Sequence, residues 1–237
     1  MIYVFGSNKA GLHNVGDALT AKTWHGAVTG KGEGPHGTSY AIPVRDSRMR
    51  AVSEEELVDA LENFFGYCKL KSVIKFQFNR INFLVPEIDE KFLIKKLRRA
   101  PENVILPGMW RDDGFSRVIV AGSRKFINEE FVFERLDFLL KDVDKNKLQI
   151  VSGAAPGPDR TGEKWSKSRL GRQATKFPAY WEHQGDQAGF ERNSVMAWEG
   201  THLIAFWDGE STGTSDMIDK AKRYGLNVRI VYTGDMK

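Results

Sequence analysis

The sequence predicts an α/β fold, and three observations indicate it. Short apolar runs alternate with amphipathic helical patterns through both halves of the chain, as strands and helices do in α/β proteins. Several of these runs end in a small, glycine-containing turn that leads into a helical pattern, which is typical of parallel strands joined by helical crossovers. A short polar stretch, residues 110–115, separates the halves. We therefore expect a smaller α/β domain over residues 1–112 and a parallel-sheet domain over residues 116–237.

The N-terminal half mixes strands and helices. Its predicted strands are Ile2–Phe5, Ser39–Pro43, Val73–Phe78 and Asn103–Leu106. Its predicted helices are Asp17–His25, Ser53–Tyr67 and Asp89–Arg99. The second helix opens with Ser53-Glu54-Glu55-Glu56, a capping-box pattern in which a serine and a glutamate bond the first backbone N–H groups. A long glycine-rich segment, residues 26–37, has no predicted element.

The C-terminal half alternates strand and helix regularly, as a parallel sheet requires. Its predicted strands are Val118–Ala121, Leu148–Ser152, His202–Trp207 and Val228–Val231. Its predicted helices are Asn128–Lys141, Arg160–Leu170, Gln184–Glu199 and Ser215–Tyr224. Right-handed crossovers place the loops after the strands along one edge of the sheet. Ligands of open α/β sheets bind at that carboxyl edge.

Composition and charge narrow the classes of function. The net charge of +4 and the pI near 9.0 permit contact with nucleic acid, but acidic residues are interleaved with the basic ones, so nucleic acid ranks last among the expected partners. No apolar run approaches the ~20 residues of a membrane helix, and we expect a cytoplasmic protein without membrane contact. The single cysteine, Cys68, excludes an internal disulfide. The spacing of His13, His25 and His36 suits no standard metal site, so we expect neither a metal nor another cofactor.

Three turns in the C-terminal half have the composition of an anion-binding site. They cover residues 122–124, 152–159 and 211–214, and each follows a predicted strand. Backbone N–H groups and helix N-termini at such junctions point at an anion, typically a phosphate. The candidate ligand-binding residues are Gly122, Ser123, Arg124, Gly153, Ala154, Gly157, Asp159, Arg192, Asn193, Trp207, Ser211, Gly213 and Thr214.

Three of these residues have a second interpretation. Asp159 stands where a helix begins, so it is either a ligand-binding residue or the N-cap of that helix. Arg192 either contacts the ligand, which we favour, or forms an ordinary surface ion pair. Trp207 either stacks on a base or belongs to the core.

The motifs of the C-terminal half occur in the order found in one known superfamily. They are Ala121–Phe126, Ser152–Asp159, Trp165, Pro178–Trp181, Ala188–Met196, Phe206–Gly209 and Ser211–Thr214. Over about residues 116–233 the chain resembles the SLOG superfamily, which includes LOG phosphoribohydrolases, DprA and YspA-like proteins, and it is most similar to the YspA-like branch. The resemblance implies a Rossmann-like parallel sheet, a nucleotide-derived ligand and a homodimer.

One departure from the superfamily bears on chemistry. LOG enzymes that cleave a glycosidic bond have a catalytic glutamate after their glycine-rich motif, whereas this sequence has Asp216 at about that place. Asp216 is either a shortened catalytic acid or, as we favour, a residue that interacts with the dipole at the start of a helix. The candidate catalytic residues are Asp159 and Asp216, and the sequence favours binding of a nucleotide over its cleavage.

The N-terminal half resembles a macro-like domain found in phage-encoded proteins. The residues behind the resemblance are Val4–Asn8, Ala10, Gly11, His13, Gly16, Gly26, Ala27, Gly30, Gly32, Gly34, Gly37, Ser39–Pro43 and Asn103–Pro107. Macro domains bind ADP-ribose, which implies a second site at Ser7, Asn8, Gly11, His13 and Gly16. The strand 73–78 leads into residues 79–84, which contain no glycine, so a second phosphate loop would be altered. For His13 we favour an exposed loop position over ligand contact.

Together the two resemblances imply three functions from different classes. The first is a protein that binds an NAD-derived nucleotide of the ADP-ribose or cyclic ADP-ribose type. Since SLOG and macro domains also act as sensors in TIR-based (Thoeris) antiphage defence, such a phage protein could sequester that signal in its bacterial host. The alternative is an N-glycosidase or phosphohydrolase, with Asp159, Asp216, Asn8 and Asp17 as its candidate acids and positioning residues. The third is single-stranded nucleic-acid binding, for which Trp165, Tyr180 and Trp181 are available for stacking.

Overall fold

The computed structural model describes residues 1–79, 83, 85–111, 113–179 and 187–234. The chain divides into two units, Met1–Arg111 and Asp112–Lys237, each built around its own five-stranded sheet. The strands alternate with helices in both units, and the α/β class predicted from the sequence is confirmed. Among the described residues, the helices are too short or too polar to cross a lipid bilayer.

Unit 1 has a mixed sheet with the strand order β2-β3-β1-β4-β5. All neighbouring strands are parallel except β2, which runs antiparallel to β3. The strands are β1 (Ile2–Asn8), β2 (Gly34–His36), β3 (Ser39–Arg45), β4 (Phe76–Phe78) and β5 (Val104–Ile105). The helices are α1 (Gly16–Trp24), α2 (Glu54–Leu70) and α3 (Glu90–Leu97), and a 3-10 turn covers Gly108–Trp110.

The capping box at the start of α2 is confirmed. The Ser53 hydroxyl accepts the N–H of Glu56 at 3.1 Å, and the Glu56 carboxylate accepts the N–H of Ser53 at 2.9 Å. The strand predicted over Val73–Phe78 is shorter, because residues 71–74 form a turn closed by the N–H of Ile74 on the carbonyl of Lys71. Strand β2 lies inside the glycine-rich segment, where no element was predicted.

Unit 2 has an entirely parallel sheet with the order β10-β9-β6-β7-β8. The strands are β6 (Ser116–Gly122), β7 (Leu148–Ser152), β8 (Thr175–Lys176), β9 (His202–Trp207) and β10 (Asn227–Tyr232). The helices are α4 (Glu129–Leu139), α5 (Pro158–Trp165), α6 (Ala188–Glu199) and α7 (Thr212–Arg223). This is the strand order of a Rossmann fold without its sixth strand, and the chain changes direction across the sheet between β6 and β9.

Alternating side chains of the central strands form the core of unit 2. Val118 and Val120 on β6 and Ile204 and Phe206 on β9 are buried with apolar residues of α4 and α5. Helices α6 and α7 contact each other and β6. Because helices flank the strands, the carboxyl ends of β6 and β9 are left as the open edge where loops can form a site.

The helices of unit 2 differ from the prediction at their ends. Helix α7 begins at Thr212, before the predicted Ser215, because the Ser211 hydroxyl accepts the N–H of Thr214 and caps the first turn. Helix α5 begins at Pro158 and continues as a π-helical turn, Ser166–Leu170. Strand β8 was not predicted, since its two residues are polar and exposed. Tyr180 and Trp181, and the predicted start of α6 at Gln184, lie outside the described residues.

Candidate functional site

A cleft of about 520 Å³ opens at the carboxyl ends of β6 and β9. This is the point at which the strand order of the sheet reverses, the usual ligand position in an open α/β sheet. Its volume lies within the range of small-molecule sites, about 300–1,000 Å³. The lining residues are Ala121, Gly122, Ser123, Arg124, Lys125, Ala155, Asp159, Gly189, Phe190, Arg192, Asn193, Asp208, Glu210, Ser211, Thr212, Gly213, Thr214 and Met217.

The turn after β6 forms one wall of the cleft and is fixed to the turn after β9. A Cβ atom on Gly122 would lie 2.6 Å from both the carbonyl oxygen of Phe206 and Cγ of Pro158, so only glycine fits there. The Ser123 hydroxyl donates to the carboxylate of Asp208, and this hydrogen bond is the main cause that lowers the pKa of Asp208. The same carboxylate accepts the N–H of Ser211 at 2.8 Å. Asp208 therefore holds the two turns together as an anion.

The turn after β7 is held in an unusual backbone conformation. Ala154 has φ +57°, in the left-handed region that residues with a Cβ seldom adopt. Its N–H donates to the hydroxyl of the buried Ser152 at 3.0 Å. Gly157 precedes α5 with φ +83°, and a Cβ there would lie 2.7 Å from the carbonyl oxygen of Ser123. The absence of a side chain at Gly157 thus allows the turn after β7 to pack closely against the turn after β6.

Asp159 lies at the floor of the cleft and is only 3% exposed. Its carboxyl group accepts the N–H of Gly153 at 3.2 Å and also bonds the backbone N–H groups of Gly122 and Ala155. The residue before α5 is Gly157, so the interpretation of Asp159 as an N-cap is wrong. Burial raises the pKa of Asp159 to about 7, although the charge of Arg192 and the N–H groups act in the opposite direction.

Arg192 approaches Asp159 from α6. Its guanidinium donates to the carbonyl of Gly153 and, at 3.0 Å, to the side-chain oxygen of Asn193. A Cβ on Gly153 would lie 1.9 Å from Nη1 of Arg192, so glycine is required for this contact. Burial lowers the pKa of Arg192, the charge of Asp159 acts in the opposite direction, and the nearby charge of Arg124 lowers the pKa further. Two guanidinium groups near each other favour an anion between them.

Asn193 connects Arg192 to α7. Its amide nitrogen donates to the carbonyl of Gly213 at 3.2 Å and to the carboxylate of Asp216 at 2.8 Å. Asp216 also pairs with Lys220 at 2.9 Å. The Asp216 carboxylate is thus bonded to Asn193 and Lys220, and Asp216 is not one of the residues that line the cleft.

The N-terminus of α7 forms the opposite wall of the cleft. Ser211 is its N-cap, and Thr212 and Gly213 are its first helical residues. A helix cannot bond these first N–H groups internally, and its dipole favours an anion at this end. A Cβ on Gly213 would meet no atom within 4 Å, so the backbone is open to a ligand.

Some predicted residues support the cleft without lining it. Gly153 and Gly157 allow the close backbone approaches described above, and Ala154 forms the turn between them. The indole of Trp207 donates to the carbonyl of Ser211 at 3.2 Å and fixes the turn before α7. Gly153, Gly157 and Trp207 each contact a neighbouring element, and these three residues and Ala154 are absent from the cleft lining.

Other lining residues were not predicted. Lys125 and Asp208 lie inside the motifs Ala121–Phe126 and Phe206–Gly209 but were not among the predicted ligand-binding residues, although a polar residue that directly follows a strand is a usable signal for Asp208. Thr212 lies in the third turn, and Glu210 directly precedes that turn. Phe190 gave no signal, because an aromatic residue in a helix is more often part of a core.

The residues of the second predicted site, in unit 1, bond mainly to one another. The Asn8 amide is bonded to the N–H and the carbonyl of Leu12, at 3.0 and 2.8 Å. The Ser7 hydroxyl lies 3.0 Å from Nε2 of His13. His13 is 0% exposed, so its expected position in an exposed loop is wrong. A Cβ on Gly11 would lie 2.3 Å from the backbone nitrogen of Lys31, and Gly16 begins α1 with φ +55°.

Metal-ligating side chains are dispersed in this fold. Within the described ranges, no group of three or more His, Cys, Asp or Glu side chains is placed to hold a metal ion. The one cysteine, Cys68, is buried, and burial raises the pKa of its thiol to about 12.

Sequence comparison now agrees with the geometry of unit 2. Residues 116–183 match the YspA, cpYpsA-related SLOG family (YAcAr). The match covers β6 to β8 of the SLOG-like unit, and with them the first two turns of the cleft. At the level of this family it indicates binding or processing of a nucleotide-related ligand. No curated protein and no solved structure matches the chain. The macro-like interpretation of residues 1–112 stays a prediction.

Proposed function

We propose that the SLOG-like unit binds an NAD-derived nucleotide of the ADP-ribose or cyclic ADP-ribose type through its phosphate groups. The observation behind this proposal is the convergence of the Gly122–Arg124 turn, the N-terminus of α7 and the Arg192 guanidinium on one cleft. Backbone N–H groups, a helix N-terminus and arginine are the standard protein ligands of phosphate.

The charges around the cleft support an anionic ligand. Arg124, Lys125 and Arg192 contribute three positive charges to its lining. Of the acidic groups, Asp208 is bonded to Ser123 and to backbone N–H groups of its own turn. Asp159 is partly protonated at neutral pH, because burial raises its pKa to about 7. Glu210, exposed on the loop after β9, is the third acidic residue of the lining, so the positive charges exceed the negative ones by the part of the Asp159 charge that protonation removes.

Calorimetric titration with ADP-ribose, cyclic ADP-ribose and adenosine tests the proposal. We expect the two phosphate-containing ligands to bind and adenosine to bind far more weakly. Arg192→Ala should weaken phosphate-dependent binding about tenfold to hundredfold, because a hydrogen bond to a charged group contributes ~1.5–3 kcal/mol. Arg160→Ala is the matched control, since Arg160 is exposed and outside the cleft lining. Equal binding of adenosine and ADP-ribose would contradict the proposal.

A hydrolase acting on the same ligand is the second candidate function. The observation that favours it is Asp159, a buried carboxyl group at the cleft whose pKa of about 7 suits proton transfer. The two candidates differ in what is recovered after long incubation and denaturation. A binding protein returns ADP-ribose intact, whereas a hydrolase returns AMP, ribose phosphate or a free base. Recovery of intact ligand after many hours would eliminate the hydrolase for that ligand.

We further propose that the bound nucleotide is a signal of TIR-based antiphage defence, which this protein would sequester as a dimer. Support comes from the anion-binding cleft together with the resemblance of both halves to folds that sense NAD-derived nucleotides. Native mass spectrometry of protein purified from cells that produce TIR-derived nucleotides would detect a retained ligand and the dimer in one spectrum. A ligand-free monomer from such cells would contradict both statements.

A further inference from the structure

We call the cleft at the carboxyl ends of β6 and β9 the phosphate cleft. A second cavity lies beside it, and Arg192 lines both. Its volume is about 280 Å³. One side is the segment that follows β8, and the other is α6. The described lining residues are Lys176, Phe177, Pro178, Ala179, Ala188, Glu191, Arg192 and Val195.

Helix α6 lies between the two cavities, and each cavity is lined by a different face of this helix. Ala188, Glu191, Arg192 and Val195 recur at intervals of three or four residues, so they share one face of the helix. Gly189 and Asn193 lie on the adjoining face and line the phosphate cleft. Arg192 belongs to both linings and is held at the border by its hydrogen bond to the carbonyl of Gly153.

The two linings differ in chemistry. The phosphate cleft is lined by glycines, hydroxyl groups and cations, whereas the second cavity has mainly apolar walls, from Phe177, Pro178, Ala179 and Val195. Phe177 is anchored by its own N–H, which donates to the carbonyl of Ser152 at 2.8 Å. The charge of Lys176 is balanced by Glu163 at 2.5 Å. The second cavity is therefore suited to a flat apolar group more than to another phosphate.

We infer that the second cavity holds the aromatic base of the ligand whose phosphates lie in the first cleft. This inference rests on the proposed nucleotide ligand. A volume of about 280 Å³ lies just below the range for whole small-molecule ligands, ~300–1,000 Å³, so it suits one part of a nucleotide. Phe177 supplies an aromatic ring for stacking, and the planar Arg192 guanidinium can stack on a base while its N–H groups face the phosphates.

The position of the cavity agrees with the topology of the sheet. The phosphate cleft lies where β6 and β9 end, and the second cavity lies beside the end of β8, toward the outer edge of the sheet. A nucleotide that spans both cavities would cross the carboxyl edge of the sheet with Arg192 near its middle. The structure thus assigns a base-containing nucleotide, and not a sugar phosphate or inorganic phosphate, as the ligand class.

Filling the second cavity should separate base recognition from phosphate recognition. Val195 is 49% exposed on α6, so a larger side chain is tolerated at this position. Val195→Trp should weaken binding of AMP about tenfold or more, the effect of losing one base-stacking contact, and leave binding of ribose 5-phosphate unchanged. Val195→Ala, which keeps the cavity open, is the matched control. Phe177→Ala gives the same comparison should the tryptophan variant fail to fold, as judged by circular dichroism.

The outcomes distinguish this inference from the proposed function. Loss of AMP binding with retention of ribose 5-phosphate binding supports the inference. Equal weakening of both ligands, or unchanged AMP binding by Val195→Trp, overturns it while the phosphate cleft still stands. Failure of the unmodified protein to bind AMP, ribose 5-phosphate or ADP-ribose overturns the proposed function itself.

Discussion

At the scale of single residues, Asp159 shows how packing changes the chemistry of a carboxyl group. It occupies the first turn of α5, where an acidic side chain usually interacts with the helix dipole at the surface. Here it is buried and bonds the N–H groups of the turns after β6 and β7. Because water is excluded, the neutral form is favoured and the pKa rises to about 7. Asp159 thus joins two turns of the cleft by hydrogen bonds, and its carboxyl group is partly protonated near neutral pH.

Asp159→Asn should flatten the pH dependence of the stability of unit 2. The folded pKa of about 7 is above the ordinary value of 3.8, so the folded state binds the extra proton between these values. The contribution to stability is full below about pH 4 and is lost as the pH rises through about 7. Denaturant unfolding from about pH 5 to pH 8 measures this change. Identical pH slopes for the variant and the unmodified protein would contradict the raised pKa.

At the scale of elements, the start of α7 is the part of the structure best prepared for an anion. The Ser211 cap bonds the N–H of Thr214, and the Trp207 indole bonds the carbonyl of Ser211. Asn193 and Asp208 hold the same turn from α6 and from the end of β9. A rigid turn loses little entropy when a phosphate binds, which strengthens binding.

Substitutions at Gly213 should separate binding from folding. A Cβ at this position meets no atom within 4 Å, so Gly213→Ala and Gly213→Val both fit the folded protein. Removing a helical glycine should leave stability unchanged or raise it by up to ~1 kcal/mol. Because Gly213 lines the cleft, a valine at this position should obstruct the proposed phosphate site, and Gly213→Val should weaken ADP-ribose binding at least about tenfold. Thermal unfolding and calorimetry on the same samples measure both effects, and unchanged affinity of Gly213→Val would place the phosphate elsewhere.

At the scale of the whole molecule, different buried groups couple the stability of the two units to pH. Unit 2 buries Asp159, whereas unit 1 buries His13 and His36 with ring centres 6.3 Å apart. Within the described chain, Nδ1 of each of these histidines has no hydrogen-bond partner. Burial lowers the pKa of both rings, and His36 and Lys22 lower that of His13 further. Acid should therefore weaken unit 1. In unit 2, burial lowers the pKa of His202, and the raised pKa of Asp159 acts in the opposite direction.

This contrast predicts that unit 1 opens before unit 2 on acidification. A histidine whose folded pKa is lowered costs stability as the pH falls below its ordinary value of 6.5, since the unfolded state binds the proton more readily. Hydrogen exchange at about pH 5.5 and pH 7.5, corrected for intrinsic rates, should show loss of protection in β1 and β3. His13→Gln should reduce that loss and leave β6 and β9 unchanged. Equal loss of protection in both units would refute the prediction.

Much of the fold could be predicted because its signals are local. The strands Leu148–Ser152 and His202–Trp207 were predicted with the bounds that the structure has. Their apolar runs are short, and each is followed directly by a glycine or a polar residue, which is a sufficient signal for a buried parallel strand. Strands β2 and β8 could not be predicted, because a strand at the edge of a sheet is stabilised by pairing with its neighbour and needs no apolar run of its own.

The sequence by itself determined the α/β class and the three turns with the composition of an anion-binding site. Apolar periodicity, glycines and capping residues act over a few positions along the chain, so a local pattern is enough to indicate them. Only the tertiary structure decided which of those residues line one cleft. Gly153 and Arg192 are 39 positions apart, and their contact exists because the fold brings the Arg192 side chain of α6 to the turn after β7. The second cavity and the raised pKa of Asp159 also result from elements that are distant in the sequence and come together in the fold. Burial and the approach of distant elements set the electrostatics of a site, and no local pattern encodes them.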